Sequence, residues 1–378
     1  MIKIAHIQLL PLLSGAQKVS LEELQRLDPE IYDRYLICKE PGPLSFEAEK
    51  NSIKCIYIKN LVREISLKND FLALVKLIKI IKNLKFDIIH THSSKPGVLG
   101  RIAAFISRVP LIIHTVHGYS FPAAKNKLQY YIYLVMEYIG AKSGNLLICL
   151  HEKDKNIAIE KLKIKDTNIF VLANGVNVEK YKPNLNKSLI RKGLNINNND
   201  IIIGMTGRLW EQKNPMLLLQ AFDKIINKDN LKLLFIGDGE LHEEMTNFIN
   251  EKNISNNVIM LGWREDTEQL LNSLDIFVLP SNWEGMPLAI LEAKSCGLPC
   301  IVSNIPGNNN LIDNDKTGLL FEPNNSDDLK TKIELLINNK AIRELFGNTN
   351  RADILTNYNI DDRIEKINKL YQSFLNKH

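Results

Sequence analysis

The chain has 378 residues, 45% of them hydrophobic and 24% charged, with a formal net charge of +5. That length supports two α/β domains with full cores, and the composition excludes a disordered or fibrous protein. Residues 1–182 hold 27 Lys and Arg against 17 Asp and Glu, the remainder 21 against 26, and no nucleic-acid motif accompanies the basic half.

Residues 2–10 read as a strand. The opening MIKIAHIQLLPLL is similar to a signal peptide, but His6 and Gln8 break its apolar run, so a first strand is expected. Leu13-Ser-Gly-Ala-Gln17 follows, then a helical pattern from Val19: strand, glycine-containing loop and helix open a Rossmann-like domain. Residues 34–38 and 53–58 are further strands. Across Phe71–Phe86, lysines 76, 79, 82 and 85 recur every three residues, which gathers them on one side of a helix. Two readings stand for it: a helix packed on its own sheet with a solvated basic face, or an amphipathic contact with anionic lipid.

Asp87-Ile-Ile-His-Thr-His92 and Leu111-Ile-Ile-His-Thr-Val-His-Gly118 read as strands with polar tips. Four of the eight histidines (90, 92, 114 and 117) therefore fall at two strand ends. Such spacing raises zinc, but no carboxylate or cysteine lies near in sequence to complete a ligand set. A polar wall facing an interdomain cleft is the expected reading. Residues 122–145 form a long helical pattern whose longest apolar run, Tyr130–Ala141, carries Glu137 and is shorter than the roughly 18 residues a membrane span needs. Strands at 146–150 and 169–172 lead into Asn174-Gly-Val-Asn177, with Lys182-Pro-Asn184 as linker. The five cysteines (38, 55, 149, 296, 300) form no C-x-x-C pair and read as reduced thiols of a cytoplasmic protein.

The second half opens with Ile201–Leu209, a buried strand running into a loop that carries Arg208 and Lys213. Two cations there are either solvated charges or a clamp on a diphosphate. Leu231–Gly239 and Val258–Arg264 repeat strand and glycine turn. Next, Asp275-Ile-Phe-Val-Leu-Pro280 runs into SNWEGMPLAILEAKSCGLP, residues 281–299, with Gly285 and Pro287 at a tight helix entry and Gly297 as its stop. A helix N-terminus at the carboxyl end of a strand binds phosphates. Glu284 and Glu292, seven residues apart in between, either grip sugar hydroxyls or are a dipole-stabilising acid and a solvated helix glutamate. Asp313-Asn-Asp315 has the spacing of a metal motif but precedes a structural turn at Thr317. The tail, Ile360–Asn376, is helical and amphipathic.

EGMPLAILEAKSCGLPCIVS, with GRLWEQKN upstream and TGLLFEP downstream, resembles the retaining glycosyltransferase family 4, whose members have the GT-B fold. The resemblance spans nearly all of the C-terminal half and is looser in the N-terminal half. It implies two Rossmann-like α/β domains, at 1–182 and 183–358, with parallel sheets facing across a cleft and a last helix, 359–378, crossing back to the first. It implies that Arg208, Lys213 and the helix mouth at Gly285, Met286, Pro287 and Leu288 stabilise the donor diphosphate. Glu292 would hold the ribose, Glu284 the ring hydroxyls of the transferred sugar, and Trp263 and Arg264 the base. Gly15 would pass close to the diphosphate, and His117 would lie next to the transferred sugar. HSSKPGVLGR and HTVHGYSF resemble a subgroup that builds bacterial surface polysaccharides, with Lys95, Arg101 and Tyr119 facing the acceptor.

The expected activity is metal-independent transfer, with no cofactor, from a UDP-hexose or UDP-N-acetylhexosamine to an undecaprenyl-diphosphate-linked glycan, in O-antigen or capsule assembly. The expected setting is the inner face of the cytoplasmic membrane, reached through the basic N-terminal half. A sugar-nucleotide epimerase and a non-catalytic nucleotide-sugar-binding subunit are the alternatives.

Overall fold

The computed structural model describes residues 1–124, 126–184 and 186–376, which divide into two compact units, 1–174 with 361–378 and 175–360. The first holds β1 (Ile2–Ile7), α1 (Gly15–Arg26), β2 (Tyr32–Cys38), α2 (Pro43–Lys50), β3 (Lys54–Tyr57), α3 (Leu67–Leu84), β4 (Ile88–His92) and α4 (Ser94–Ile106). It continues through β5 (Leu111–Val116), α5 (Lys127–Lys142), β6 (Leu146–Cys149), α6 (Glu152–Glu160) and β7 (Ile169–Val171). The second holds α7 (Lys187–Gly193), β8 (Ile201–Thr206), α8 (Pro215–Asp223), β9 (Leu231–Ile236), α9 (His242–Glu251), β10 (Val258–Met260), α10 (Thr267–Ser273) and β11 (Ile276–Leu279). After it come α11 (Leu288–Ser295), β12 (Cys300–Ser303), β13 (Gly318–Phe321), α12 (Ser326–Asn338), α13 (Lys340–Asn357) and α14 (Ile360–Leu375).

Both sheets are parallel. Their orders are β3-β2-β1-β4-β5-β6-β7 and β10-β9-β8-β11-β12-β13. Each order reverses beside the unit's first strand, between β1 and β4 and between β8 and β11, the crevice where open α/β sheets bind ligands. The central strands are buried along their length, which explains their near-continuous apolar runs. The division falls after Asn174, eight residues before the expected boundary at 182. Residues 175–182 belong to the second unit because Val176 pairs with the chain at 358–360 and Ser295 Oγ donates to the Tyr181 carbonyl.

Helix α14 packs almost wholly within the first unit. Ile367 and Tyr371 are fully buried in the core with Leu24, Tyr32 and Ile88. The Tyr32 hydroxyl donates to Asn368 Oδ1 at 2.6 Å. Arg363 donates twice to Glu23 Oε1, at 2.7 and 3.1 Å, and to the carbonyls of Leu172 and Ala173 at 2.7 and 2.6 Å. Both charges are buried, so removing the arginine leaves a carboxylate with no counter-charge. Arg363→Met should lower the unfolding free energy of the first unit by roughly 3–5 kcal/mol. Calorimetry should show its transition moving down while that of the second unit stays in place.

Candidate active site

In the second unit, the loops after β8 and β11 are stitched together. Asn282 N donates to the Gln212 carbonyl at 2.8 Å, Asn282 Nδ2 to the Glu211 carbonyl at 2.7 Å, and Gln212 Nε2 to the Trp283 carbonyl at 2.8 Å. Within that frame the Lys213 ammonium donates to Glu284 Oε1 at 2.6 Å, and Ser281 Oγ donates to the same oxygen at 2.7 Å. The two charged side chains are only 16% and 7% exposed, so solvent screens their attraction weakly. Oε2 has one long contact, from Gln212 Nε2 at 3.5 Å. The carboxylate is thus anchored by one oxygen and presents the other.

Arg208 lies in the same loop and is handled differently. Its guanidinium forks onto Glu240, with Nε at 3.0 Å from Oε2, and stands 5.1 Å from the Trp210 ring centroid. This pair is exposed on both sides, 45% for the arginine. An exposed ion pair contributes about 0–1 kcal/mol, so Arg208 changes partner at little cost.

Helix α11 begins at Leu288, with extended Pro287 as its cap rather than its first helical residue. Its first N–H groups have no carbonyl one turn back. Gly285 and Met286 lead into this mouth. Glu292 is buried one turn on, and the Tyr181 hydroxyl lies beside it. Burial and this carboxylate push the tyrosine far above its ordinary range, so it stays a neutral donor. Trp263 is 63% exposed after Gly262, and Arg264 forks onto Asp266 at 2.8 and 2.6 Å. The Arg264 side chain is thereby occupied, leaving its backbone for a ligand.

Two glycines are required by close approach. A Cβ on Gly237, at φ +144°, would lie 2.0 Å from the Gly207 carbonyl oxygen. One on Gly307, at φ +92°, would lie 2.4 Å from the Gly285 oxygen and 2.8 Å from that of Glu284. Gly15 at the start of α1 has nothing within 4 Å of a Cβ, so protein packing does not demand glycine there. Asp313 and Asp315 lie in the turn before β13: Lys316 pairs with Asp313 at 3.0 Å, and Asn314 bridges to Gly318.

In the first unit, His6, His90, His92 and His117 share one face of neighbouring strands β1, β4 and β5, or their ends. His6 pairs in register with His90, and His92 with Thr115, two residues before His117. Side chains two apart on a strand point to one face, which brings these rings together. His114 turns away, its Nδ1 2.9 Å from Thr91 Oγ1. Instead Glu23 from α1 joins the group, and ligand-type atoms of His6, Glu23, His90 and His92 lie within 4.8 Å of one another. The carboxylate that sequence proximity did not supply arrives through the fold. Burial lowers His6 to about 3 and holds His90, His92 and His114 well below the ordinary imidazole range. His117, half-buried, is lowered too, with the Arg363 charge adding to the burial.

The residues expected at the acceptor are corrected by their partners. Arg101 is 1% exposed; it donates to the Gly97 carbonyl at 2.9 Å and to Glu137 at 3.1 Å. The Tyr119 hydroxyl is buried and donates to the Asp154 carbonyl at 3.1 Å. Both are committed to the interior. Lys95 pairs with Asp70 at 2.6 Å.

With this geometry in view, the likeness to known proteins can be read. Residues 13–180 match the model of "Glycosyltransferase Family 4" and residues 186–353 that of "Glycosyl transferases group 1". The chain is 44% identical over 98% of its length, and 96% of the relative's, to an Escherichia coli UDP-Gal:alpha-D-GlcNAc-diphosphoundecaprenol alpha-1,3-galactosyltransferase. It belongs to glycosyltransferase family 4. It is also 30% identical to the capsular polysaccharide biosynthesis glycosyltransferase CapM of Staphylococcus aureus, over 83% of each chain. Among solved structures, Anabaena Alr3699/HepE with UDP and glucose superposes with a TM-score of 0.86, at 19% identity over 99% of this chain and 100% of that one. The fold of this family 4 glycosyltransferase is therefore GT-B.

Gly307→Ala adds a Cβ in a left-handed conformation against the Glu284–Gly285 backbone. It should cost about 1–2 kcal/mol in the second unit and weaken nucleotide-sugar binding, read by calorimetric unfolding and titration. Acid should also destabilise the first unit. The five lowered histidines take up protons in the unfolded chain below about pH 6.5. Their stabilisation is complete above that pH and is lost as pH falls toward the folded values, about 3 for His6. Glu23 and Asp154, both raised by burial, act the other way but are fewer. A net loss on the order of a few kcal/mol per pH unit is expected between pH 6 and 5, measured by denaturant titration.

Proposed function

We propose that this glycosyltransferase moves a hexosyl group from a UDP-sugar, with retention of configuration, to an undecaprenyl-diphosphate-linked saccharide of a bacterial surface polysaccharide. The observation that carries this is the 44% identity over nearly the whole chain to an enzyme named for UDP-Gal, a GlcNAc-diphosphoundecaprenol acceptor and an alpha-1,3 linkage. Galactose is accordingly the first sugar to test. UDP-galactose is itself α-linked, so an alpha product means retention. The relatives named here are transferases, which favours this reading over an epimerase or a binding subunit.

The roles follow from the geometry of the second unit. Lys213 has three donors, so it can hold Glu284 and a phosphate oxygen together. Arg208 leaves Glu240 for the diphosphate, since the stronger charge replaces an exposed pair. The mouth of α11, from Gly285 through Met286, Pro287 and Leu288, adds N–H donors where charge builds on the leaving group. Glu284 turns its free Oε2 toward hydroxyls of the transferred sugar, and Glu292 takes the ribose. Trp263 and the Arg264 backbone receive the base, Gly15 lets the first unit approach the diphosphate, and His117 meets the transferred sugar. The acceptor hydroxyl attacks from the face that the diphosphate leaves, so no side chain forms a covalent intermediate.

A lipid-linked acceptor implies work at a membrane surface, and we place the chain at the cytoplasmic face. No helix of the described residues is long and apolar enough to cross a membrane. Lys76, Lys79 and Lys82 are exposed along α3, whose Ala73, Leu77 and Ile81 pack inward. Exposed Leu128, Tyr131, Ile132 and Val135 on α5 add apolar surface to this basic half. Both suit an anionic bilayer.

The test is UDP release from a panel of UDP-sugars, with and without undecaprenyl-diphosphate-GlcNAc. Release that needs UDP-galactose and the acceptor together is expected; release without acceptor, or a different sugar nucleotide recovered free, would sink the transferase reading. Glu284→Gln should cut turnover by roughly 10²–10³ while UDP affinity changes little.

A further inference from the structure

Four side chains of the first unit form one continuous chain of short polar contacts. Ser20 Oγ is 3.0 Å from His6 Nδ1, which is 3.1 Å from His92 Nε2. His92 Nδ1 is in turn 3.0 Å from His117 Nε2. Ser20, His6 and His92 are fully buried, and His117 Nδ1 has no hydrogen-bond partner among the described residues. Nε2 of His117 is therefore taken, and Nδ1 is the nitrogen left for a substrate.

A neutral imidazole carries one N–H, so His92, with a histidine at each nitrogen, donates on one side and accepts on the other. Two proton arrangements are possible along the chain. In one, His117 Nε2–H donates to His92 and His92 to His6 Nδ1. His6 then carries its proton on Nε2, and its single Nδ1 lone pair faces both His92 and Ser20. His6 Nε2 is buried with no hydrogen-bond partner, and a buried orphan N–H is among the rarest states in folded proteins. In the other arrangement His6 Nδ1–H is shared between His92 Nε2 and Ser20 Oγ, and His92 Nδ1–H donates to His117 Nε2. Only a bare lone pair is then left unmet. This second arrangement obliges His117 to carry its proton on Nδ1.

We propose that His6 and His92, with Ser20, are positioning residues that fix the ring and tautomer of His117, so that it presents a neutral Nδ1–H donor to the transferred sugar. This rests on the reading of His117 as a contact of that sugar. His117 then donates to a sugar oxygen and keeps its proton; it does not take one from the acceptor. The same residues do not suit a metal in this arrangement. Both nitrogens of His92 are engaged, as are both of His90, with Tyr371 at 2.7 Å and Thr115 at 2.8 Å, and the Arg363 cation sits on Glu23.

The experiment compares His92→Leu, His92→Asn and His117→Ala in the full chain, with acceptor and UDP-sugar at saturating and limiting concentrations. An asparagine amide can replace the Nδ1–H donor; leucine cannot. His92→Leu is expected to lower kcat roughly ten- to a hundred-fold with UDP affinity unchanged, and His92→Asn to recover most of it. In the His117→Ala background, His92→Leu should add little further loss. Wild-type kcat in a folded His92→Leu protein, beside a defective His117→Ala, overturns the positioning proposal. Wild-type kcat in His117→Ala overturns the sugar-contact reading instead. Should His92→Leu not fold, 15N spectra of the histidines in the wild-type protein decide: the Nδ1–H form at His117 is expected, and the Nε2–H form refutes it. Stoichiometric zinc binding that is lost in His92→Asn, with turnover abolished by chelation, would also refute it.

Discussion

The parallel ordering of the strands is the constraint on which the site depends. In a parallel sheet every strand ends at the same edge, so loops distant in sequence are delivered to one place. Lys213 follows β8 and Glu284 follows β11, and those strands are neighbours in the second sheet although 71 residues separate the two side chains. In the first sheet the same rule sets the histidines of β1, β4 and the end of β5 side by side. Neither arrangement needs a dedicated scaffold. Close contact between loops then has to be permitted by the backbone, which is why Gly237 and Gly307 occur where any Cβ would strike a carbonyl.

Much of this was readable before any coordinates. The buried strands announce themselves as apolar runs, and the Glu-x7-Glu segment with GRLWEQKN carries enough specific residues to name the family. What stayed hidden depends on contacts between residues far apart in the chain. Arg101 looks like a surface charge because its carboxylate, Glu137, lies 36 residues on; burial of the pair is a property of the packing of α4 against α5. Glu23 joins the histidines only because α1 lies over β1 and β4, and nothing near His90 or His92 in sequence signals it. Ser281 was legible only weakly. A serine three residues before a functional glutamate is common, and its bond to Glu284 Oε1 needs the turn geometry.

The two cations of the second unit show how burial divides labour between like charges. Lys213 is shielded, its bond to Glu284 is short, and a pair so placed holds its geometry through a catalytic cycle. Arg208 pairs with Glu240 in the open, where water and salt screen the attraction. A planar guanidinium offers two parallel donors to whichever oxyanion is best placed, carboxylate or phosphate. The shielded lysine therefore orients, while the exposed arginine can engage and release. An enzyme that must discharge a nucleoside diphosphate each cycle benefits from having one grip of each kind.

The first unit solves a different problem with neutral groups. Sugar hydroxyls carry no net charge, and a cation placed to meet them would also attract any nearby phosphate. Buried imidazoles held below their ordinary pKa avoid this: each stays a directional donor and acceptor at neutral pH. The one strong cation there, Arg363, is neutralised by Glu23 and capped by two carbonyls, so it anchors α14 and adds to the depression of His117 without presenting charge outward. The last helix is thus tied to the histidine cluster through Arg363 and through Tyr371 on His90. Loss of that helix would remove a packing partner and also rewet the imidazoles, returning them toward values at which they charge.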